Sequence, residues 1–155
     1  MKQRLNHAEV APELKAALGS VNVALSKSSL GRALLDLIFL RVSQLNGCAY
    51  CVDMHGHDLL QAGESMRRLN AVAVWREAPY FEERERAVLA WVEALTQLGN
   101  GPMPDSIYEP LKSHFSDKEI VELTYAVAVI NAWNRIGVGF SMQPNDVNPK
   151  WPQER

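Results

Sequence analysis

Two cysteines and a histidine, Cys48, Cys51 and His55, are spaced for chemistry. They are both cysteines of the chain and one of its four histidines. On a helix, residues three and four apart share a face, with Cβ atoms roughly 5–6 Å apart. The three side chains line up if a helix begins near Cys48, and Asn46-Gly47 just before is a break-and-start signal. A thiol in a first helical turn feels the positive end of the helix dipole, which favours the thiolate. An imidazole one turn past Cys51 can accept or relay a proton near neutral pH. The stretch therefore holds a redox nucleophile, a resolving thiol and a base.

Three readings compete. A redox-active CxxC with a helper histidine is preferred, because this CxxC opens a helix in a chain without a secreted disulfide framework. A zinc site would draw on Cys48, Cys51 and His55, but structural zinc takes four ligands. His57 lies about 200° around the helix from His55 and cannot easily be the fourth. The bland reading is two small buried thiols and a core histidine. We expect no bound metal and no cofactor.

The elements that must position this stretch read as helices. Pro12 suits a first turn, and Leu14, Ala17, Leu18, Val21 and Leu25 follow at helical spacing. A second helix is expected over about 30–45, with Leu34, Leu37, Ile38, Val42 and Leu45 as its stripe. Leu35 and Phe39 widen that stripe, which predicts burial on two sides. Asp36 and Arg41 are charges inside this apolar segment. Asp36 either pairs with Arg32 one turn earlier or serves the site. The third helix carries the CxxC to about Ala62 and Gly63 stops it. Residues 71–75 are β-branched in places, yet no partner strand is visible, so helix is preferred. A strong amphipathic helix over 82–98, a loop at 99–104, and a short helix over 105–113 follow. Ser116-Asp117-Lys118-Glu119 is a capping box opening a long helix to about Met142. Residues 1–9 read as a polar arm and 143–155 as an extended arm or tail, with Trp151 able to dock it. Asp36-Leu37 before Leu45-Asn46 is echoed, one residue out of step, by Glu122-Leu123 before Ile130-Asn131.

At 155 residues the chain reads as one all-α domain, with a core over about 10–142. A chain of this size buries about 68–70% of its unfolded surface without staples. A net charge of -2 offers no footprint for nucleic acid. No apolar run is long enough to span a bilayer and no signal peptide is visible, so a cytoplasmic protein without membrane contact is expected.

The run Leu-Arg-Val-Ser-Gln-Leu-Asn-Gly-Cys-Ala-Tyr-Cys-Val-Asp-Met-His from Leu40 to His55 resembles the core motif of the alkylhydroperoxidase AhpD-like proteins, of the carboxymuconolactone decarboxylase superfamily. Residues 73–77, 83–87 and 130–135 extend the resemblance. It implies an all-α fold with a duplicated helical motif, assembled as a homotrimer or homohexamer. It implies a thiol peroxidase in which Cys51 attacks a small hydroperoxide, Cys48 resolves the sulfenic acid as a disulfide, and His55 belongs to the proton relay. The family motif has a Glu twelve residues before its first Cys, where this chain has Asp36, and a His in some members where this chain has Tyr50. A dithiol reductant, which could be of lipoyl type, would recycle the disulfide. The alternatives are a non-enzymatic thiol–disulfide switch and, less favoured, carboxymuconolactone decarboxylase-type chemistry, which does not rely on a CxxC.

Overall fold

The structure, a computed structural model, describes residues 2–99 and 101–144. The expected tail arm and Trp151 thus lie outside the described residues, apart from Gln143 and Pro144. Eight α-helices are formed: α1 (His7–Val10), α2 (Pro12–Leu25), α3 (Arg32–Asn46), α4 (Ala49–Gln61), α5 (Met66–Ala71), α6 (Glu83–Thr96), α7 (Asp105–Lys112) and α8 (Asp117–Gly139). A 3-10 turn at Val72–Val74 continues α5, and no strand occurs among the described residues, so residues 71–75 are helical as expected. No helix among them is long and apolar enough to cross a membrane.

Helix α3 is the hub. It packs on α4, α6 and α8, and Ile38 and Val42 are wholly buried on it. Its breadth of apolar positions dictates this: Leu34, Leu35, Leu37, Ile38, Phe39 and Leu40 are all buried. Helix α8 is the second spine, packing on α2, α3, α4, α6 and α7. Ser116 and Glu119 form the expected capping box at its start, and Glu82 and Glu85 form another ahead of α6. The faint echo between α3 and α8 is spatial: Asn46 Nδ2 donates to Asn131 Oδ1 at 3.0 Å.

The joint between α3 and α4 is built on glycine. Gly47 takes a left-handed backbone, φ 66°, and its N–H bonds to the Gln44 carbonyl. The Cys48 N–H bonds back to the Ser43 carbonyl at 3.0 Å, completing a Schellman ending. The same residue then opens α4, its carbonyl accepting from the Val52 N–H at 2.9 Å. Cys48 is therefore at once the last tied residue of one helix and the N-cap of the next.

Two expectations need correcting at the chain's ends. Helix α8 stops at Gly139, not near Met142. Ser141 takes the left-handed conformation at φ 54°, and the Ser141 and Met142 N–H groups bond back to Val138 and Gly137. This is again a Schellman ending, with serine where glycine is the usual signal, so the stop was hidden. Residues 1–9 are not merely an arm. Asn6 caps the short helix α1, Arg4 bonds through its N–H to the Phe140 carbonyl and through its guanidinium to the Gly139 carbonyl, and the His7 ring lies against Trp133 and Phe140. The segment satisfies carbonyls that the end of α8 leaves free.

Candidate functional site: a buried dithiol beside an Asp–His pair

Both cysteines are reduced, and both are buried, Cys48 at the N-cap of α4 and Cys51 in its first turn. What lets them sit together is a residue missing a side chain on another helix. A Cβ at Gly137 of α8 would lie 2.9 Å from Cys48 Sγ and 3.7 Å from Cys51 Sγ. A contact under about 3 Å would force the Cys48 sulfur or α8 to shift, so glycine lets α8 close over the thiols as they stand. One turn earlier, the buried Asn134 donates to Ser43 Oγ at 3.0 Å and accepts from Asn46 Nδ2 at 2.9 Å. Its amide also leans on both sulfurs.

The two thiols share a proton unequally. The Cys51 thiol donating to Cys48 outweighs burial, and the Cys51 N–H and Asn134 help, so Cys48 is pushed down to about 7. That N–H favours the anion electrostatically without forming a capping hydrogen bond. Cys51 is pushed up, because it holds its proton against Cys48 and is itself buried. Near neutral pH Cys48 is thus partly thiolate, while Cys51 keeps its proton.

His55 is buried one turn past Cys51, under the Phe39 ring at a centroid distance of 4.9 Å. Its Nδ1 lies 3.3 Å from Asp36 Oδ1. Asp36 is only 1% exposed and is also held by Arg32 Nε at 2.5 Å. Asp36 thus contacts Arg32 through one carboxylate oxygen and His55 through the other. An ion-paired carboxylate can only accept, so His55 Nδ1 donates towards Asp36. His55 Nε2 is buried and has no hydrogen-bond partner among the described residues. An orphaned buried polar atom is costly in a purely structural role.

A cavity of about 610 Å³ reaches this centre. Cys51, His55 and Tyr50 line it from α4, and Cys48 does not. The zinc grouping of Cys48, Cys51 and His55 is not assembled. Among the described residues, the ligand atoms that come within 4.8 Å of one another belong to Asp36, His55 and Asp58. The Arg32 guanidinium already bonds to both of those carboxylates.

A sequence model of the carboxymuconolactone decarboxylase family matches residues 12–94, which include Asp36, both cysteines and His55. The chain belongs to the carboxymuconolactone decarboxylase family. Within that family it is 34% identical over 138 residues to the uncharacterised protein YdfG of Bacillus subtilis, covering 89% of this chain and 94% of that one. It is 44% identical, with a TM-score of 0.88, to an Agrobacterium tumefaciens protein of unknown function grouped by name with the antioxidant defence protein AhpD; the match covers 92% of this chain and 97% of that one. An uncharacterised peroxidase-related protein from Silicibacter sp. TM1040 superposes with a TM-score of 0.77 at 25% identity, covering 86% and 71% of the two chains. The AhpD-like helical fold expected from the motif is thereby established.

Cysteine spacing and the lone acid on α3 led to Cys48, Cys51, His55 and Asp36. Asn134 and Gly137 were missed because they reach the thiols from a helix far away in sequence, and Ser43 because it acts across the turn of the chain between α3 and α4. A signal existed: Asn131, Asn134 and Gly137 make a polar and small stripe at i, i+3, i+6 along an otherwise apolar helix.

Proposed function

We propose that this protein is a thiol-dependent peroxidase that reduces small hydroperoxides through Cys51 and Cys48. The observation that carries the reading is the shared cavity. Its wall includes Cys51 and His55 but not Cys48, and both sulfurs lie together against Gly137; the buried His55 Nε2 has no partner among the described residues. His55 Nε2 takes the Cys51 proton, which the resting pair holds there. The Cys51 thiolate attacks the outer peroxide oxygen, the O–O bond breaks, and the alkoxide leaves as alcohol with the proton from His55. Cys51 is then a sulfenic acid. The low-lying Cys48 thiolate attacks its sulfur, hydroxide leaves and is protonated to water, and a Cys48–Cys51 disulfide results. A dithiol, which could be of lipoyl type, returns two electrons and two protons. Attack on the cavity-facing Cys51 expels Cys48, the better leaving thiolate.

The test is peroxide consumption with a dithiol present, wild type against Cys51→Ser, together with dimedone-type trapping in Cys48→Ser. The expected result is turnover only in wild type and label on Cys51. No consumption by wild type, or no label on either cysteine, removes the mechanism. The raised Cys51 thiol favours one second reading, a thiol–disulfide switch that oxidises slowly. A quantitative disulfide with negligible turnover would establish that reading instead.

The resemblance also supports assembly as a homotrimer or homohexamer. Val10, Leu14 and Val23 on the outer helices and Val121 and Tyr125 on α8 are each more than half exposed in the single chain. Light scattering that returns the 17.3 kDa monomer at micromolar concentration would exclude it.

A further inference from the structure

The peroxidase reading leaves most of the cavity unexplained. Cys51 and His55 occupy its buried inner end, at 3% and 5% exposure. Its remaining lining comes from α2, α8, Tyr50 and Met54 of α4, Met142 and the amino-terminal segment. From α2 come Lys15, Gly19 and Asn22, at i, i+4 and i+7, which is one face of a helix. Between the two ends the wall is apolar, with Met54, Ile130 and Trp133.

Three features of the α2 face are specific. Lys15 is exposed at the rim, and no carboxylate among the described residues pairs with it. Asn22 Oδ1 accepts from the Trp133 indole N–H at 2.8 Å. An indole nitrogen can only donate, so the Asn22 oxygen is fixed on that side and its NH₂ is left as a donor. Gly19 sits in mid-helix, where it costs about 1 kcal/mol relative to alanine. A Cβ there would meet nothing within 4 Å, so packing does not demand the glycine. Its effect is to keep the wall open between Lys15 and Asn22. Among the described residues, no aspartate or glutamate lines the cavity. The pocket thus has a reactive inner end, an apolar waist, and a rim of donors and positive charge. Its volume is in the range of small-molecule sites.

We infer that the cavity selects hydroperoxides carrying a carboxylate, or a similar anion, at the far end of an apolar body, with Lys15 binding the anion. This rests on the peroxidase reading for the inner end but not for the rim. A fatty-acid hydroperoxide has the required shape: an oxidised site that reaches Cys51, a hydrocarbon stretch against Ile130 and Trp133, and a headgroup at Lys15.

Two measurements on the full chain separate the two ideas. The first compares kcat/KM for a fatty-acid hydroperoxide and for its methyl ester, with dithiol present. The acid is expected to be preferred about tenfold, the size of one charge-assisted contact reduced for an exposed lysine. Lys15→Gln should bring the ratio towards one, and Lys15→Glu should invert it. Equal rates for acid and ester in wild type, or a preference that survives Lys15→Gln, would overturn the inference. The second measurement is calorimetric binding of decanoate against decanamide to the reduced protein, which needs no turnover. Decanoate binding that is tighter than decanamide and lost in Lys15→Gln supports the anion site, and equal binding of both overturns it. Absence of hydroperoxide consumption alongside Lys15-dependent decanoate binding would sink the peroxidase reading and leave the anion site standing.

Discussion

Helix α3 carries two charged side chains inward, and they end very differently. Arg41 meets Glu93 of α6 through two nitrogens, at 2.9 and 2.6 Å. Glu93 also accepts from the Trp75 indole at 2.8 Å and from Arg76. Burial alone would push the Glu93 carboxyl up, but the bonds from Trp75, Arg76 and Arg41 outweigh it and hold it below the usual carboxylate range. Asp36, less than two turns earlier, is equally well held on its own account, yet the histidine it orients has a bare buried nitrogen. Two clusters with the same ingredients on one helix thus divide by whether every polar atom is satisfied. The Arg41 cluster is a fastening between α3 and α6. In the Asp36 cluster the buried His55 Nε2, one turn past Cys51, has no partner among the described residues, which is the pattern the proposed role requires.

The comparison can be broken first at His55. His55→Leu should slow peroxide consumption by about 10²- to 10⁴-fold, the usual weight of a positioned base. Its melting shift should stay small, near the ~1 kcal/mol of one lost hydrogen bond. Glu93→Gln should do the reverse. Stopped-flow rates should hold, while denaturant unfolding shows a loss of roughly 3 kcal/mol, the low end for unpairing a buried charge. Equal effects of the two variants on rate would erase the distinction. Acid sharpens the same contrast. Glu93 has a depressed folded value, so its contribution is complete above the ordinary carboxylate range and is lost as pH falls through the depressed one. The stability gap between wild type and Glu93→Gln should therefore shrink on titrating from pH 6 to pH 3.

A smaller effect is expected on the thiols. Thiolate absorbance near 240 nm should rise in one step with a midpoint of about 7, from Cys48. Cys51→Ala removes the donor that stabilises this anion, so the step should move to higher pH. A midpoint that stays put would mean that the proton is not shared. Arg32, whose side chain is 63% exposed, also carries the counter-charge of the buried Asp36. Arg32→Ala should therefore cost more in denaturant unfolding than the roughly 0.2–0.5 kcal/mol of an exposed pair. Asp36→Asn should cost more in rate than in stability, and Asp36→Glu should hold or raise the rate. An unchanged rate in Asp36→Asn would leave His55 acting without its carboxylate.

Periodicity alone made the helical hub legible. The width of the α3 stripe implied burial on two sides, and the Ser116 and Glu119 pair marked the start of α8. The thiols, His55 and Asp36 were legible because local spacing puts them on helix faces. What stayed hidden depends on contacts between distant segments. Gly137 looks like any helical glycine until α8 lies across α4. The end of α8 was hidden by a serine doing a glycine's task, and the docking of Arg4 onto its carbonyls carries no local signature. The unequal sharing of one proton between Cys48 and Cys51 is likewise a property of packing, since a first-turn position by itself favours either thiolate.

The double tie at Cys48 has a mechanical consequence. Its N–H is fastened to Ser43 and its carbonyl to Val52, so its own backbone torsions have no slack. Closing and reopening the bond to Cys51 then falls to side-chain torsions, chiefly rotation about the Cα–Cβ bonds. Such rotations take picoseconds to nanoseconds, whereas backbone rearrangements take microseconds or longer. In the proposed cycle the disulfide step would thereby be separated from the slow motions of the fold, leaving its pace to proton transfer and to the arrival of substrate and reductant.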